Sequence, residues 1–132
     1  VRRLVAGGSV VVAAGGGGIP VAEVDGHLDG IDAVIDKDLT SALLAVELDA
    51  SVLVLLTDVD AVHREWEGPD SRPIAAATVA ELRAHRFEPG TMGPKVEAAC
   101  RFAEATGRVA HIGSLDAAAA VAAGASGTAV HP

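Results

Sequence analysis

The sequence predicts an α/β fold, a three-layer αβα sandwich built on a mainly parallel sheet, as a single domain over residues 1–132. Two observations carry this. The short β-branched and leucine-rich runs, of which Ser51 to Leu56 (SVLVLL) is the clearest, are continuous rather than alternating, as strands covered on both faces are. Between them lie helix starts and alanine-rich segments, giving a β-α-β-α-β-α-β order that favours a parallel sheet with helices on its faces. At 132 residues there is room for one core and not two.

Taken in order, Val10 to Ala14 reads as a first buried strand, a short apolar run ending in glycines. Gly26 to Gly30 reads as a turn-rich connection. Asp36 or Asp38 caps a helix through Leu39 to Leu48. Ser51 to Leu56 is the second strand, with Thr57-Asp58-Val59-Asp60 at its carboxyl end, and Glu65 to Pro73 is irregular surface. Thr78 opens a short helix to His85, with Glu81 three residues on as the partner of a capping box. Gly90 to Gly93 forms a loop, and a helix from Pro94 to Thr106 follows with proline in its first turn. Arg108 to Ile112 is a third strand, Ser114 to Ala123 an alanine helix capped by Ser114, and Gly127 to Val130 a last short strand.

Composition narrows the function. Half the residues are hydrophobic, but there is no Tyr, one Trp and two Phe, so the core is expected from Ala, Val, Leu and Ile, with helices packed through alanine faces. A net charge of −8 argues against nucleic acid or an anionic membrane as partner, whereas an acidic shell around a few cations suits a small anion held locally. The longest apolar stretch is far shorter than a membrane span. The single Cys100 forms no disulfide within the chain, falls in a helical run as a small buried residue, and fits a reducing cytoplasm. His27, His63, His85, His111 and His131 are scattered without ligand spacing, so no metal site is expected from them. The chain begins at Val1 and runs at once toward a strand, from which we expect either residues missing upstream or an alternative start codon.

The chemistry is concentrated around two lysines. Of ten basic residues only Lys37 and Lys95 are lysine, and each lies in a phosphate-like setting, Ile35-Asp36-Lys37-Asp38 and Met92-Gly93-Pro94-Lys95. A lysine ammonium is a compact point charge, where arginine offers a planar fork. Gly15 to Gly18 follows the first predicted strand, and residues without side chains let backbone N–H groups approach an anion. In open α/β sheets ligands gather at the carboxyl ends of strands and the starts of the following helices, which is where these segments and Thr57 to Asp60 fall. GGGGIP does not fit the dinucleotide fingerprint, because Pro20 follows too soon, and no G-x-x-x-x-G-K-[ST] is present. On the residues alone, Asp38 reads first as a helix cap, Asp58 and Asp60 as carboxylates satisfying a turn, and Met92 as packing.

Four segments, GGGGIPV (Gly15 to Val21), AVIDKDLTSALLA (Ala33 to Ala45), LLTDVDAV (Leu55 to Val62) and GTMGPKVEAACRF (Gly90 to Phe102), together resemble bacterial carbamate kinase of the amino-acid kinase family. GSLDAAAA from Gly113 fits that family's last strand-to-helix turn. The resemblance covers essentially the whole chain and implies an amino-acid kinase-like fold, in part. It also implies a carboxyl-terminal portion, with a first strand, a glycine-rich phosphate loop, another lysine and most of the carbamate pocket missing. It further implies an Mg²⁺-assisted transfer of phosphate between ATP and carbamate, giving ADP and carbamoyl phosphate, commonly run toward ATP in arginine or purine breakdown. By the same resemblance Lys37 lies along the ATP phosphates, Asp38 orients the lysines with Asp36 as a weaker candidate, and Lys95 reaches the β/γ-phosphate region. Thr57, Asp58 and Val59 line the adenosine site, Met92 and Gly93 its far wall, and Gly15, Gly16, Gly17 and Gly18 approach the reacting centre. His63 stands where the family often has Tyr. The expected partners are carbamate, ATP or ADP, and either a second copy or a separate amino-terminal half. The alternatives to an autonomous enzyme are a nucleotide-binding fragment without catalysis of its own and a truncated remnant.

Overall fold

In a computed structural model, residues 1–64, 71–85, 87 and 92–132 are described. The elements in chain order are α1 (Arg2–Ala6), a hairpin of β1 (Val21–Val24) and β2 (His27–Gly30), α2 (Lys37–Glu47), β3 (Leu53–Thr57), β4 (Ala76–Thr78), α3 (Val79–Arg83), α4 (Met92–Thr106), β5 (Ala110–Ser114), a 3-10 turn (Leu115–Ala117), α5 (Ala118–Ala122) and β6 (Thr128–His131). The main sheet has the order β3-β5-β6-β4; β3 with β5 and β4 with β6 are parallel, while β5 and β6 run antiparallel. The expected α/β class and the predominance of parallel pairs hold.

The period of two along β5 sets the layers. Ala110 and Ile112 point into the core shared with α4, built around Phe102, Leu82, Val62 and Val130. Gly113 points the other way, where a Cβ would stand 2.7 Å from Val121 of α5. Helices therefore cover both faces, with α2, α3 and α4 on one and α5 on the other. As composition implied, the helical faces are largely alanine: Ala42 and Ala45 from α2 and Ala98, Ala99 and Ala103 from α4 are buried. Thr128 is buried yet satisfied, donating to the Ile74 carbonyl at 2.6 Å and accepting from the Val62 amide at 2.9 Å.

The capping logic of the sequence is realised at two helices. Asp36, not Asp38, caps α2, its carboxylate accepting from the amides of Asp38 and Leu39. Thr78 and Glu81 form the expected capping box at α3. Ser114 caps as expected, but the helix it opens divides into the 3-10 turn and the short α5.

Three local expectations are corrected. Val10 to Ala14 is not a strand: Val10 and Val12 are 99% and 98% exposed, and no strand among the described residues lies beside them to complete a ladder. Among the described residues the outer strands of the main sheet are β3 and β4. Gly26 belongs to a two-residue hairpin turn, with Asp25 at φ 50° and Gly26 at φ 80°, the left-handed pair that a tight turn between twisted strands requires. Met92 and Gly93 form the first turn of α4 rather than a loop, while Gly90 lies outside the described residues. Of the irregular segment from Glu65, residues 65–70 also lie outside them, and Pro73 pairs with His63 in an isolated bridge.

Candidate active site

A cavity of about 320 Å³ opens between the glycine run, the start of α2, the side of β3 and the first turns of α4. Its polar centre is a three-residue cluster. Asp38, 6% exposed, sits in the first turn of α2, and the backbone geometry fixed by the Asp36 cap directs its carboxylate inward. Lys95, 9% exposed, comes from α4 and places its Nζ 3.1 and 3.2 Å from the two Asp38 oxygens. Lys37 approaches Oδ2 of the same carboxylate at 3.3 Å from the solvent side. A buried carboxylate is tolerable only when paired, and Asp38 is paired twice. With two ammonium groups and one carboxylate, the cluster carries a formal charge of +1, and it faces open space that an anion would fill.

The glycine run forms the facing wall. Gly17 has φ 153°, and a Cβ there would stand 2.2 Å from the Ile35 carbonyl oxygen, so only glycine lets the run lie against the Ile35-Asp36-Lys37 turn. Gly16 and Gly17 line the cavity with Lys37, Asp38 and Lys95. Gly18 adjoins the Ile35 side chain, and Gly15 lies between the lining residues Ala14 and Gly16.

The other candidate residues occupy neighbouring segments outside this lining. Thr57 ends β3 and donates from its hydroxyl to Asp58 at 3.0 Å; Val59 follows, half-buried. Met92 packs against the core and Gly93 follows it, one turn ahead of Lys95. Sequence reasoning missed Ser41, which lines the cavity and donates to the Lys37 carbonyl at 2.8 Å. Its position four residues after Lys37, on the same helix face, was the available signal. His63 bridges Asp60 at 2.8 Å and Ser71 at 3.0 Å. That hydrogen bond holds the Asp60 carboxyl below the ordinary carboxylate range. Among the described residues, no cluster of three or more metal-ligating side chains occurs, and no helix is long and apolar enough to cross a membrane.

Residues 1–114 match the model of the amino acid kinase family. The chain belongs to the amino acid kinase family. Among the members of this family it is 48% identical over 111 residues to the carbamate kinase of Rhizobium meliloti, across 82% of this chain and 34% of that one. It is 45% identical over 129 residues to the carbamate kinase of Haemophilus influenzae, across 97% of this chain and 42% of that one. Carbamate kinase from Giardia lamblia bound to AMP-PNP superposes with a TM-score of 0.92 at 38% identity, over 98% of this chain and 47% of that one. The chain thus spans less than half the length of these amino acid kinases.

The expectation of a carboxyl-terminal portion is corrected by these matches. The family match runs from residue 1 to residue 114, and nearly all of this chain falls on 42–47% of the relatives, consistent with an amino-terminal-like portion and not with a carboxyl-terminal fragment.

Proposed function

We propose that this chain holds the phosphates of ATP or ADP in a carbamate-kinase-type phosphotransferase, and that it is not catalytically autonomous. The observation that carries this is the Lys37–Asp38–Lys95 cluster facing Gly16 and Gly17 across one cavity. The likeness to a carbamate kinase bound to AMP-PNP supports a nucleotide as the anion, and the span of less than half the relatives' length supports dependence on further protein.

In this reading Lys95 is the fixed cation, held by both Asp38 oxygens, and the more exposed Lys37 is the mobile one that follows the transferring group. Asp38 orients both ammonium groups and touches no phosphate itself. Gly16 and Gly17 bring backbone close to the phosphates without a Cβ between. The adenosine side falls to Thr57, Asp58, Val59, Met92 and Gly93, and Gly15 and Gly18 hold the glycine run in place. With both Asp38 oxygens already taken by lysines, Mg²⁺ fits this site as an ion carried by the nucleotide phosphates, where it supplies charge neutralisation. The whole reaction, as we assign it, joins a carbamate oxygen to the γ-phosphorus while the bond to the β–γ bridging oxygen breaks. ADP leaves with that electron pair, and catabolic flux toward ATP is the same step reversed. The setting is the metabolism of arginine in the cytoplasm.

Isothermal titration of ADP with Mg²⁺ tests the reading. The wild-type chain binds saturably, and Lys37→Ala and Lys95→Ala each weaken binding by the worth of one charge-assisted contact, about 1.5–3 kcal/mol or roughly 10- to 150-fold. A folded chain that binds no ADP, or binds it equally well with either lysine removed, overturns the proposal.

A further inference from the structure

The segment that leaves β3 and the one that returns ahead of β4 are pinned side by side. The Ile74 amide donates to the Val62 carbonyl at 2.8 Å, and the Arg64 amide to the Arg72 carbonyl at 3.4 Å. Buried Thr128 ties both segments to β6, accepting from the Val62 amide and donating to the Ile74 carbonyl. Three side chains line up on this frame. Asp60 Oδ1 lies 2.8 Å from His63 Nε2, and Ser71 Oγ lies 3.0 Å from His63 Nδ1. The ring is sheltered, with the His63 side chain 13% exposed, while Asp60 reaches it from the solvent side and Ser71 is half-buried.

The proton positions follow from the chemistry of the three groups. The Asp60 carboxyl is held below the ordinary range by its hydrogen bond to His63, so at neutral pH it is ionised and only accepts. Nε2 therefore carries a proton. In the neutral ring Nδ1 is then an acceptor, and the Ser71 hydroxyl donates to it. The hydroxyls of Thr40, Ser41, Thr106 and Thr128 give their protons to backbone carbonyls; that of Ser71 faces a base. The isolated bridge sets His63 opposite Pro73, so by the alternation of paired strands Arg64 and Arg72 fall on the other face. The face that carries Ser71 thus presents a carboxylate and no arginine from either segment, which suits an uncharged electrophile better than an anionic one.

We infer that Ser71 is an activated nucleophile and a covalent acylation site for uncharged carboxylic esters, with His63 as its base and Asp60 as the positioning residue that fixes the ring. Ser71 Oγ bonds to the ester carbonyl carbon while its proton passes to His63 Nδ1. The bond from that carbon to the alcohol oxygen then breaks. The alcohol leaves with the electron pair and takes the proton from His63, and the acyl group stays on Ser71. None of Lys37, Asp38 and Lys95 takes part, so the inference stands apart from the nucleotide reading.

The test exposes the full chain to p-nitrophenyl acetate and follows nitrophenol release, with peptide mass spectrometry to place the acetyl group. Acetylation of Ser71 is expected in a burst, about 100-fold or more faster than in His63→Asn, and absent from that peptide in Ser71→Ala. Acetyl phosphate is expected to label Ser71 at least about tenfold more slowly than the ester. Nitrogen NMR of the wild type near neutral pH should show His63 with its proton on Nε2, and Asp60→Asn should shift that tautomer balance and slow acetylation. Acetyl groups found only on lysines or the amino terminus, acetylation of Ser71 at an equal rate in His63→Asn, equal labelling by acetyl phosphate, or a wild-type proton on Nδ1 overturns the proposal. ADP titration of Ser71→Ala is expected to match the wild type, so this reading and the nucleotide reading fall separately.

Discussion

Asp38→Asn separates two accounts of the lysine cavity. If the cavity works as a simple charge trap, deleting the carboxylate raises its formal charge from +1 to +2, and an anion should bind more tightly. A unit charge about 4 Å away at an effective dielectric of about 20 is worth about 4 kcal/mol, so the effect would be large. If instead Asp38 is an anchor, removing it frees the Lys95 ammonium from contacts at 3.1 and 3.2 Å and leaves two cations repelling each other. The structure favours the anchor, because Lys95 is buried and, among the described residues, its ammonium donates to both oxygens of this carboxylate. Breaking a buried pair costs about 3–5 kcal/mol. The contacts here are longer than the tightest charge-assisted bonds, which run about 2.7–2.9 Å, so the low end of about 3 kcal/mol is expected. At about 3–5 °C per kcal/mol for a domain of this size, the melting temperature should fall by about 9–15 °C. Scanning calorimetry of the free chain reads that shift, and titration with ADP and Mg²⁺ reads affinity, expected to weaken at least tenfold. Unchanged melting, or ADP bound as tightly as or more tightly than by the wild type, would refute the anchoring argument.

Two further predictions concern the glycine run and β5. Gly17→Ala should disrupt both melting and ADP affinity, since its Cβ would meet the Ile35 carbonyl oxygen at 2.2 Å and push the run away from Lys37. Gly16→Ala, at φ 99° with nothing within 4 Å, should cost only the left-handed backbone penalty of about 1–2 kcal/mol, so equal effects from the two would contradict the packing argument. His111 on β5 has a pKa held below its ordinary 6.5, first by burial and then by the nearby His131, and its Nδ1 has no hydrogen-bond partner. The unfolded chain therefore takes up a proton that the folded chain resists. This contribution to stability is complete above pH 6.5 and is lost as the pH falls below it. Melting temperatures from pH 7.5 to 5.5 should decline less steeply in His111→Gln than in the wild type, and parallel declines would remove His111 as a source.

What was legible in the sequence was whatever is decided locally. The Thr78 and Glu81 capping box needs only four residues, and SVLVLL is apolar enough to be a strand in any α/β context. The lysine motifs were legible for the same reason, since a cation beside glycine and aspartate at a helix start is a local pattern. Val10 to Ala14 was misread because strand formation is a pairing property: the β-branched residues are present, but no neighbour among the described residues completes the ladder. The hairpin of β1 and β2 was missed although its signal was present, Asp25-Gly26 between VAEV and HLDG. The antiparallel entry of β6 between two parallel pairs carries no local signature.

The choice between Asp36 and Asp38 as the cap of α2 shows how one local decision builds the site. Both stand near the helix start, and sequence alone left both open. Once Asp36 accepts from the amides of Asp38 and Leu39, the second aspartate is released from capping and turns its carboxylate inward. What meets it there depends on α2 and α4 approaching closely, which their alanine faces allow: Ala42 and Ala45 on one helix, Ala98 and Ala99 on the other. Only then does a lysine 57 residues away in sequence reach the carboxylate. The low aromatic content and the lysine–aspartate cluster, which look like unrelated features of the composition, are therefore two consequences of one packing arrangement. Small core residues bring the helices together, and their proximity lets one buried aspartate hold two lysines beside a glycine wall.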